Sequence, residues 1–264
     1  MKIKAVVFDW AGTMVDFGSR APMGVFVKAF AEFGVAVTVD DARKPMGLPK
    51  RAHIAAMLAE PRIAAAWTAA QGTAPDEAAI DRLYAVFVPM NEAVAADYAE
   101  LVPGALETVR WLRARGVKIG STTGYTRSIM ARVAPVAAAR GYAPDTLVCA
   151  DDMPEGRPGP LMMVRCFADL AVWPPASVLK VDDTEPGIAE GVAAGCPTVG
   201  VALSGNLVGL TVEELARLTP AEVGALRDRA GAALRAAGAG HVIDTVADLP
   251  ALVERLEAQP GAWQ

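Results

Sequence analysis

Short apolar runs recur along the chain at intervals typical of a parallel β-sheet. These runs are rich in Val and Ile, are bounded by polar or glycine residues, and cover Ile3–Phe8, Val117–Thr122, Thr146–Val148, Val178–Val181 and Thr198–Val201, with a shorter segment at His241–Ile243. Helical patterns, each closed by or near a glycine or another helix breaker, precede or separate the runs of the second half of the chain, over Gly104–Arg115, Arg127–Arg140, Pro160–Leu170 and Pro186–Ala194. Strands alternating with helices predict an α/β fold with a Rossmann-like parallel-sheet core.

The stretch between the first and second runs is too long for one crossover helix. It shows helical periodicity over Met23–Phe33, Pro49–Leu58, Arg62–Ala70 and Asp76–Tyr98. We therefore expect a helical cap domain, residues 19–99, inserted into a core domain of residues 1–18 and 100–264. Linkers at Phe17–Ala21 and Ala99–Pro103 would form a hinge that places the cap above one edge of the sheet.

The last part of the chain is predicted to be mainly helical. The segment Thr211–Ala237 has an amphipathic pattern with two helix starts, at Thr211 and Thr219, each a hydroxyl followed by acids. A final helix is expected over Val246–Leu256.

Composition and charge limit the kinds of molecule that the protein is expected to bind. The 264-residue chain is 53% apolar, with a formal charge of -5 and no Lys/Arg-rich run, which argues against nucleic acid or an anionic membrane surface as partner. The sequence also shows neither a signal-peptide pattern nor a membrane-length apolar run, so we expect a cytoplasmic protein with a small polar substrate. Cys149, Cys166 and Cys196 lack metal-binding spacing and are predicted to be reduced, buried thiols, with a catalytic thiol as the alternative.

Four polar residues follow the predicted strands: Asp9, Thr123, Arg157 and Asp183. The carboxyl ends of parallel strands converge on one crevice, so these residues would bring together a nucleophile, a hydroxyl, a cation and a second carboxylate. This set suits a phosphoryl group, and the two acids can hold Mg²⁺. Taken singly, each has an ordinary structural explanation, such as an Asp that caps a turn.

The order of these four residues resembles the four motifs of the haloacid dehalogenase superfamily, in which a helical cap follows the first motif. Longer strings resemble the phosphonoacetaldehyde hydrolase (phosphonatase) family over nearly the whole chain. They are Phe8–Thr13, Ala42–Leu48 followed by Lys50, and Gly120–Arg127.

This resemblance implies a reaction and a set of residues. Asp9 would be the nucleophile, Lys50 would form a Schiff base with the substrate aldehyde, and Mg²⁺ would bind Asp9, the Ala11 carbonyl and Asp183. The products would be acetaldehyde and phosphate. A homodimer through the cap is also implied, and the apolar face of Met23–Phe33 would suit it, although burial inside the monomer explains that face equally well.

Ala11 makes chemical sense in such a reaction. A phosphate-ester enzyme would be expected to place an acid there to protonate the leaving oxygen, whereas a carbon–phosphorus bond has no bridging oxygen. Its leaving carbon needs an electron sink instead, and a protonated imine on Lys50 would supply one.

Lys50 must be neutral to attack a carbonyl, so its pKa should be lowered by desolvation or by nearby cations, for which Arg43, Lys44 and Arg51 are available. His53 would share a helical face with Lys50 and shuttle protons. The alternative is that Lys50 is an exposed lysine and His53 a packed or capping histidine.

Further pocket residues are predicted with ordinary alternatives. The turn at Gly12 can approach phosphate closely, and Gly47 can bring the cap close to the core. Met46 would line the pocket or pack in the core. Tyr125 would close over the substrate or only pack.

The chain departs from the superfamily at Gly187, where a second acid is usual. Asp182 or Glu185 would then support the metal ligands. Rival functions are a phosphate-ester phosphatase or phosphomutase, disfavoured by Ala11, and a catalytically silent phosphate-binding module, disfavoured by Asp9 with Lys50. A metal-free dehalogenase is disfavoured because Thr123, Arg157 and Asp183 together indicate a site for phosphate and a metal ion.

Overall fold

Six strands form one parallel sheet in a computed structural model of the protein, which describes residues 2–258. The strands are β1 (Ala5–Phe8), β2 (Lys118–Thr123), β3 (Thr146–Cys149), β4 (Val178–Asp182), β5 (Thr198–Val201) and β6 (His241–Ile243). Their order is β3-β2-β1-β4-β5-β6, and every neighbouring pair is parallel. The predicted α/β class is confirmed. The chain runs outward from β1 in both directions, so the crevice at the carboxyl end of β1 lies where α/β sheets bind ligands.

The helices fall into two groups. Between β1 and β2 lie α1 (Ala21–Ala31), α2 (Val39–Arg43), α3 (Lys50–Ala59), α4 (Pro61–Gln71) and α5 (Glu77–Ala95). Helix α6 (Ala105–Ala114) also lies before β2 and leads into it. The others follow or separate the later strands: α7 (Arg127–Ala139), α8 (Leu161–Leu170), α9 (Glu185–Ala193), α10 (Val212–Leu215), α11 (Pro220–Ala236) and α12 (Leu249–Ala258).

Helix α2 is absent from the sequence prediction, because five residues are too few to show a helical period. Its start nonetheless has a sequence signal, because Thr38 and Asp41 have the spacing of a capping box. The Asp41 backbone amide donates to Thr38 Oγ1 at 3.1 Å, and the Thr38 backbone amide donates to Asp41 Oδ2 at 2.8 Å. The same motif at Thr219 begins α11 and divides Thr211–Ala237 into two helices.

The inserted helices have a hydrophobic core of their own. It is built around large, fully buried side chains, including Phe26, Phe30, Trp67 and Phe87. The sheet is covered on both faces, with Val6 and Phe8 packed on one side and Ala5 and Val7 on the other, as the alternation of side chains along a strand requires. The residue boundaries of the cap domain stay a prediction.

The two chain crossings between the sheet and the inserted helices lie side by side. Val15 pairs with Leu101 in an antiparallel bridge, flanked by hydrogen bonds from the Asp16 amide to the Glu100 carbonyl and from the Val102 amide to the Met14 carbonyl. This pairing anchors the insertion just beyond the carboxyl end of β1.

The apolar face of α1 is internal. Met23, Val25, Phe26 and Phe30 are all buried within the same chain, in the core that α1 shares with α5. Burial in the monomer, the alternative left open by the sequence, therefore accounts for this face. Within residues 2–258, every helix is too short or too polar to span a bilayer.

Candidate active site

A small pocket opens at the carboxyl ends of β1 and β2, beneath the segment that joins α2 to α3. The space not filled by atoms, which includes space open to solvent, is about 310 Å³. It is lined by residues from both the sheet and the inserted helices: Asp9, Ala11, Ser19, Pro22, Met46, Gly47, Lys50, Thr123, Gly124, Tyr125, Arg157 and Thr184. Residues far apart in sequence thus share one pocket.

Asp9 is fixed by a buried ion pair. Its carboxylate Oδ1 lies 2.8 Å from Nη2 of Arg157, and both side chains are almost fully buried. Burial, reinforced by the negative charge of Asp182, raises the pKa of Asp9 to about 6, although Arg157 opposes the shift. The carboxylate therefore faces the pocket with little competing solvent.

Beneath Asp9, four buried charged groups neutralise one another. Lys180 Nζ lies 3.0 Å from Asp182 Oδ2 and 2.9 Å from Glu190 Oε2. Arg157 Nε lies 3.1 Å from the same Glu190 oxygen, and Arg157 Nη2 lies 3.3 Å from Asp182 Oδ2. Thr122 joins them, since its hydroxyl accepts from Lys180 at 2.7 Å and donates to Glu190 at 2.8 Å. The network holds the Arg157 guanidinium in the orientation that pairs with Asp9.

Sequence analysis missed Lys180, Glu190 and Thr122. A signal for Lys180 is present, because it is a charged residue inside the apolar run Val178–Val181, where an unpaired charge would be costly. Its partner Thr122 lies 58 positions away, so no local pattern shows that the two side chains meet.

Three carboxylates could hold a metal ion. Asp9, Asp182 and Asp183 are buried, and each offers an oxygen within 4.8 Å of those of the others. Burial and the charges of Asp9 and Asp182 raise the pKa of Asp183 well above its ordinary value, although Thr13 Oγ1 and the Asn206 amide donate to it at 3.0 and 2.8 Å. A cation would relieve this repulsion, so the donor set fits a hard divalent ion.

Asp182 differs from its neighbours. Although burial opposes the shift, Arg157 and Lys180 lower the pKa of Asp182. Its carboxylate also explains the missing second acid, because a Cβ on Gly187 would lie 2.0 Å from Asp182 Oδ2. Glu185 is exposed, and the carboxylate cluster does not include it.

The segment from Met46 to Lys50 lies against the core. Gly47 has a φ of +93°, and a Cβ there would lie 2.3 Å from Thr184 Oγ1, so glycine permits the close approach that the sequence predicted. Lys50 follows at the start of α3 and is only 3% exposed. Its Nζ lies 3.9 Å from Met46 Sδ and 5.0 Å from the centre of the Tyr125 ring.

Burial is the main cause of the lowered pKa of Lys50. Desolvation lowers the pKa of Lys50 from 10.5 to about 8, with a further lowering by Arg157 and an opposing effect of Asp9. Of the two causes that the sequence left open, desolvation is the larger, and the cation that contributes is Arg157 of the core rather than Arg43, Lys44 or Arg51. Arg43 binds backbone carbonyls of the core, Lys44 pairs with Glu60, and Arg51 pairs with Glu77 and Asp81.

His53 and Gly12 are not among the residues that line the pocket. His53 is buried with its ring stacked on Phe26 at 4.0 Å, and its Nε2 lies 2.8 Å from the Ala42 carbonyl oxygen. That oxygen can only accept, so the proton is on Nε2, and burial lowers the pKa of His53 well below its usual value. Nδ1 is left as a buried acceptor with no hydrogen-bond partner among the described residues.

The Gly12 amide donates to the Val15 carbonyl at 2.7 Å and is therefore engaged within its own turn. A Cβ at Gly12 would lie 2.3 Å from Asp183 Oδ2, so the glycine makes room for Asp183. Its expected approach to phosphate has no support in this geometry.

The three cysteines are free and buried, as predicted. Burial raises the pKa of each thiol to about 12, which argues against a catalytic thiolate.

Comparison with known proteins agrees with this geometry. The model of the haloacid dehalogenase-like hydrolases matches residues 3–195. Phosphonoacetaldehyde hydrolase of Paraburkholderia xenovorans (strain LB400) is 52% identical over 257 residues, covering 97% of this chain and 96% of its own. The enzyme of the same name from Klebsiella pneumoniae subsp. pneumoniae is 45% identical over 260 residues, covering 98% and 97%.

A crystal structure of a phosphonoacetaldehyde hydrolase-like protein from Oleispira antarctica superimposes with a TM-score of 0.96 at 42% identity, covering 98% of this chain and 94% of that one. The chain therefore belongs to the haloacid dehalogenase-like hydrolases and, within them, to the phosphonoacetaldehyde hydrolase family.

The lowered pKa of Lys50 predicts its reactivity. At pH 7, roughly one molecule in ten would carry a neutral Lys50, against about one in three thousand for a free lysine. Reductive trapping of acetaldehyde at Lys50, followed by peptide mass mapping, should increase with pH and level off above a midpoint near 8. Exposed Lys44 provides the reference peptide in the same digest. A midpoint near that of free lysine would contradict the assignment.

The buried network predicts a strong coupling between Lys180 and Glu190. Lys180→Met leaves the buried carboxylates of Asp182 and Glu190 with Arg157 as their one remaining cationic partner among the described residues, and should lower the free energy of unfolding by about 3 kcal/mol. In urea unfolding, the double variant Lys180→Met with Glu190→Gln should lose less free energy of unfolding than the two single variants lose in total, by about 1 kcal/mol or more. Arg165→Met is the control, because its pair with Asp169 is largely exposed and worth less than about 1 kcal/mol. Additive effects would show that the two residues act independently.

Proposed function

We propose that this protein hydrolyses the carbon–phosphorus bond of phosphonoacetaldehyde to acetaldehyde and phosphate. The observation that carries the proposal is a buried lysine amine of lowered pKa that opens on the same small pocket as a buried aspartate. The relatives that bear this enzyme's name give independent support.

In the first step, the neutral amine of Lys50 attacks the aldehyde carbon, and loss of water leaves a protonated imine. Neutral His53, with Nδ1 unpaired, is the nearby base that we assign to proton transfer during this step. The Tyr125 ring, 5.0 Å from Nζ, favours the cationic imine through its π face. Met46 Sδ, 3.9 Å from Nζ, covers part of the amine and so limits its contact with solvent.

In the second step, a carboxylate oxygen of Asp9 attacks phosphorus. The carbon–phosphorus bond breaks, its electron pair moves into the imine to give an enamine, and an aspartyl phosphate forms. Arg157 and Thr123 are assigned to the phosphoryl oxygens, because both line the pocket beside Asp9. Water then cleaves the phosphoenzyme, and protonation and hydrolysis of the enamine release acetaldehyde and free Lys50.

We propose Mg²⁺ as the metal, held by Asp9, the Ala11 carbonyl and Asp183. When bound, it would offset the repulsion between the attacking carboxylate and the phosphoryl group. Asp182 is a weaker candidate ligand, because Arg157 and Lys180 already neutralise it.

Ala11 also bears on the rival reactions. It lines the pocket but offers no acid, so an oxygen leaving group would go without a proton donor at this position. A phosphate-ester phosphatase or phosphomutase would moreover have no use for a buried amine of lowered pKa. A silent phosphate-binding module would need neither Asp9 nor Lys50 in this form.

A homodimer and a cytoplasmic location remain parts of the proposal that rest on the family resemblance and the sequence. The buried side chains of α1, such as Phe26 and Phe30, are already covered within the same chain and therefore give the dimer no separate support.

Lys50→Arg tests the central step. Arginine keeps the positive charge but cannot form the imine, so acetaldehyde production from phosphonoacetaldehyde should fall by about 1,000-fold or more. Lys44→Arg, in the exposed pair with Glu60, should keep near-normal turnover and is the matched control. Borohydride with substrate should trap an adduct at Lys50 in the unmodified protein. Near-normal turnover by Lys50→Arg would defeat the mechanism, and release of phosphate from sugar phosphates instead would favour the ester phosphatase.

Removal of the metal should abolish turnover. Treatment with a chelator is expected to stop acetaldehyde formation and added Mg²⁺ to restore it, in a coupled assay. Asp183→Asn should reduce kcat by about 100-fold or more, because one anionic ligand is lost. Full activity of the chelated protein would disprove the metal requirement.

A further inference from the structure

Arg43 crosses from the inserted helices to the core. It lies at the end of α2, and its guanidinium donates to four acceptors in the core. Nη1 lies 3.0 Å from the Gly18 carbonyl oxygen, 3.2 Å from the Asn206 carbonyl oxygen and 3.1 Å from Asn206 Oδ1. Nη2 lies 3.2 Å from the Gly209 carbonyl oxygen. Asn206 Nδ2 donates back to the Arg43 carbonyl at 3.1 Å. Arg43 and Asn206 therefore hold each other, although 163 positions separate them.

The loop that Arg43 binds, residues 204–209, also contacts the carboxylate cluster. The Asn206 amide donates to Asp183 Oδ2 at 2.8 Å, a bond strengthened by the charge of the carboxylate. Ser204 Oγ donates to the Gly12 carbonyl at 2.8 Å, in the turn after Asp9. One short loop thus contacts both the turn after Asp9 and the carboxylate of Asp183.

The loop has little room to move between these partners. A Cβ on Gly205 would lie 2.6 Å from Asp183 Cβ, and a Cβ on Gly209 would lie 2.5 Å from Arg43 Cζ. With Asp183 packed against one end and Arg43 against the other, a shift of Arg43 must be taken up by the loop. A shift of the loop would be transmitted to Asp183 through the backbone amide of Asn206, which donates to its carboxylate.

We propose that Arg43 is a positioning residue for Asp183, acting through Asn206, so that the carboxylate is correctly placed only when the inserted helices are seated on the core. The proposal builds on the function proposed above. The segment that follows Arg43 carries Met46 and Lys50 to the pocket, so one contact seats both the amine and the acid. By thermodynamic linkage, a cation at Asp183 must in turn favour the seated arrangement.

Arg43→Met tests this proposal in the resting protein, without substrate. Loss of Arg43 should weaken Mg²⁺ binding, measured by calorimetry, by about 10-fold, which is what loss of one hydrogen bond to a charged group costs. Amide exchange over residues 204–209 should speed up even without metal. Added Mg²⁺ should slow exchange over residues 16–21 in the unmodified protein and do so much less in the variant.

Arg51→Met is the matched control, an arginine of α3 whose partners Glu77 and Asp81 both belong to the inserted helices. It should leave Mg²⁺ binding and loop exchange unchanged. Gly209→Ala should reproduce the effect of Arg43→Met with the guanidinium still present, because the new methyl group displaces it. Asn206→Ala combined with Arg43→Met should add little to either single variant.

A folded Arg43→Met protein with unchanged Mg²⁺ affinity and unchanged exchange over residues 204–209 would overturn the proposal. If that variant does not fold, Asn206→Ala and Gly209→Ala decide the question by the same measurements. Failure of the unmodified protein to hydrolyse phosphonoacetaldehyde would refute the proposed function, whereas the exchange experiment would still judge Arg43.

Discussion

The structure depends on the burial of opposite charges at the carboxyl ends of β1 and β4. An isolated buried ion costs several kcal/mol, so such groups persist only when each has a partner of opposite charge and further hydrogen bonds. Lys180 and Arg157 lie among Asp9, Asp182 and Glu190, with Thr122 bridging them. This mutual neutralisation is what allows the buried Asp9 carboxylate to face the pocket in a fixed orientation.

The dry environment that makes these charges costly also tunes the two reacting groups of the proposed mechanism. Desolvation raises the pKa of Asp9 to about 6 and lowers that of Lys50 to about 8, since burial disfavours the charged form of either group. Lys50 thereby gains a usable neutral fraction, while Arg157 keeps Asp9 ionised near neutral pH. Exclusion of water by the segment 46–50 is therefore part of the chemistry as well as of the packing.

The two halves of the site come from two hydrophobic cores. The sheet supplies the groups assigned to the phosphoryl end, and the inserted helices supply the amine assigned to the aldehyde end. Close contacts between them include Gly47 against Thr184 and Arg43 against Asn206. Small shifts at these contacts would separate the amine from the carboxylate, which gives the contacts an importance beyond their share of the stability.

The sequence alone determined the class of fold, the strand-end residues Asp9, Thr123, Arg157 and Asp183, and the pairing of Asp9 with Lys50 in one pocket. Strand and helix periods are local properties, and the family strings place catalytic residue types at known strand ends. Only the tertiary structure showed the Lys180–Glu190 network, the tautomer of His53, the engagement of the Gly12 amide, the true partners of Arg43 and the internal face of α1. The Gly12 amide bonds to Val15 within its own turn, whereas the other contacts join residues further apart along the chain. No local sequence pattern specifies which side chain or carbonyl a buried polar group will meet.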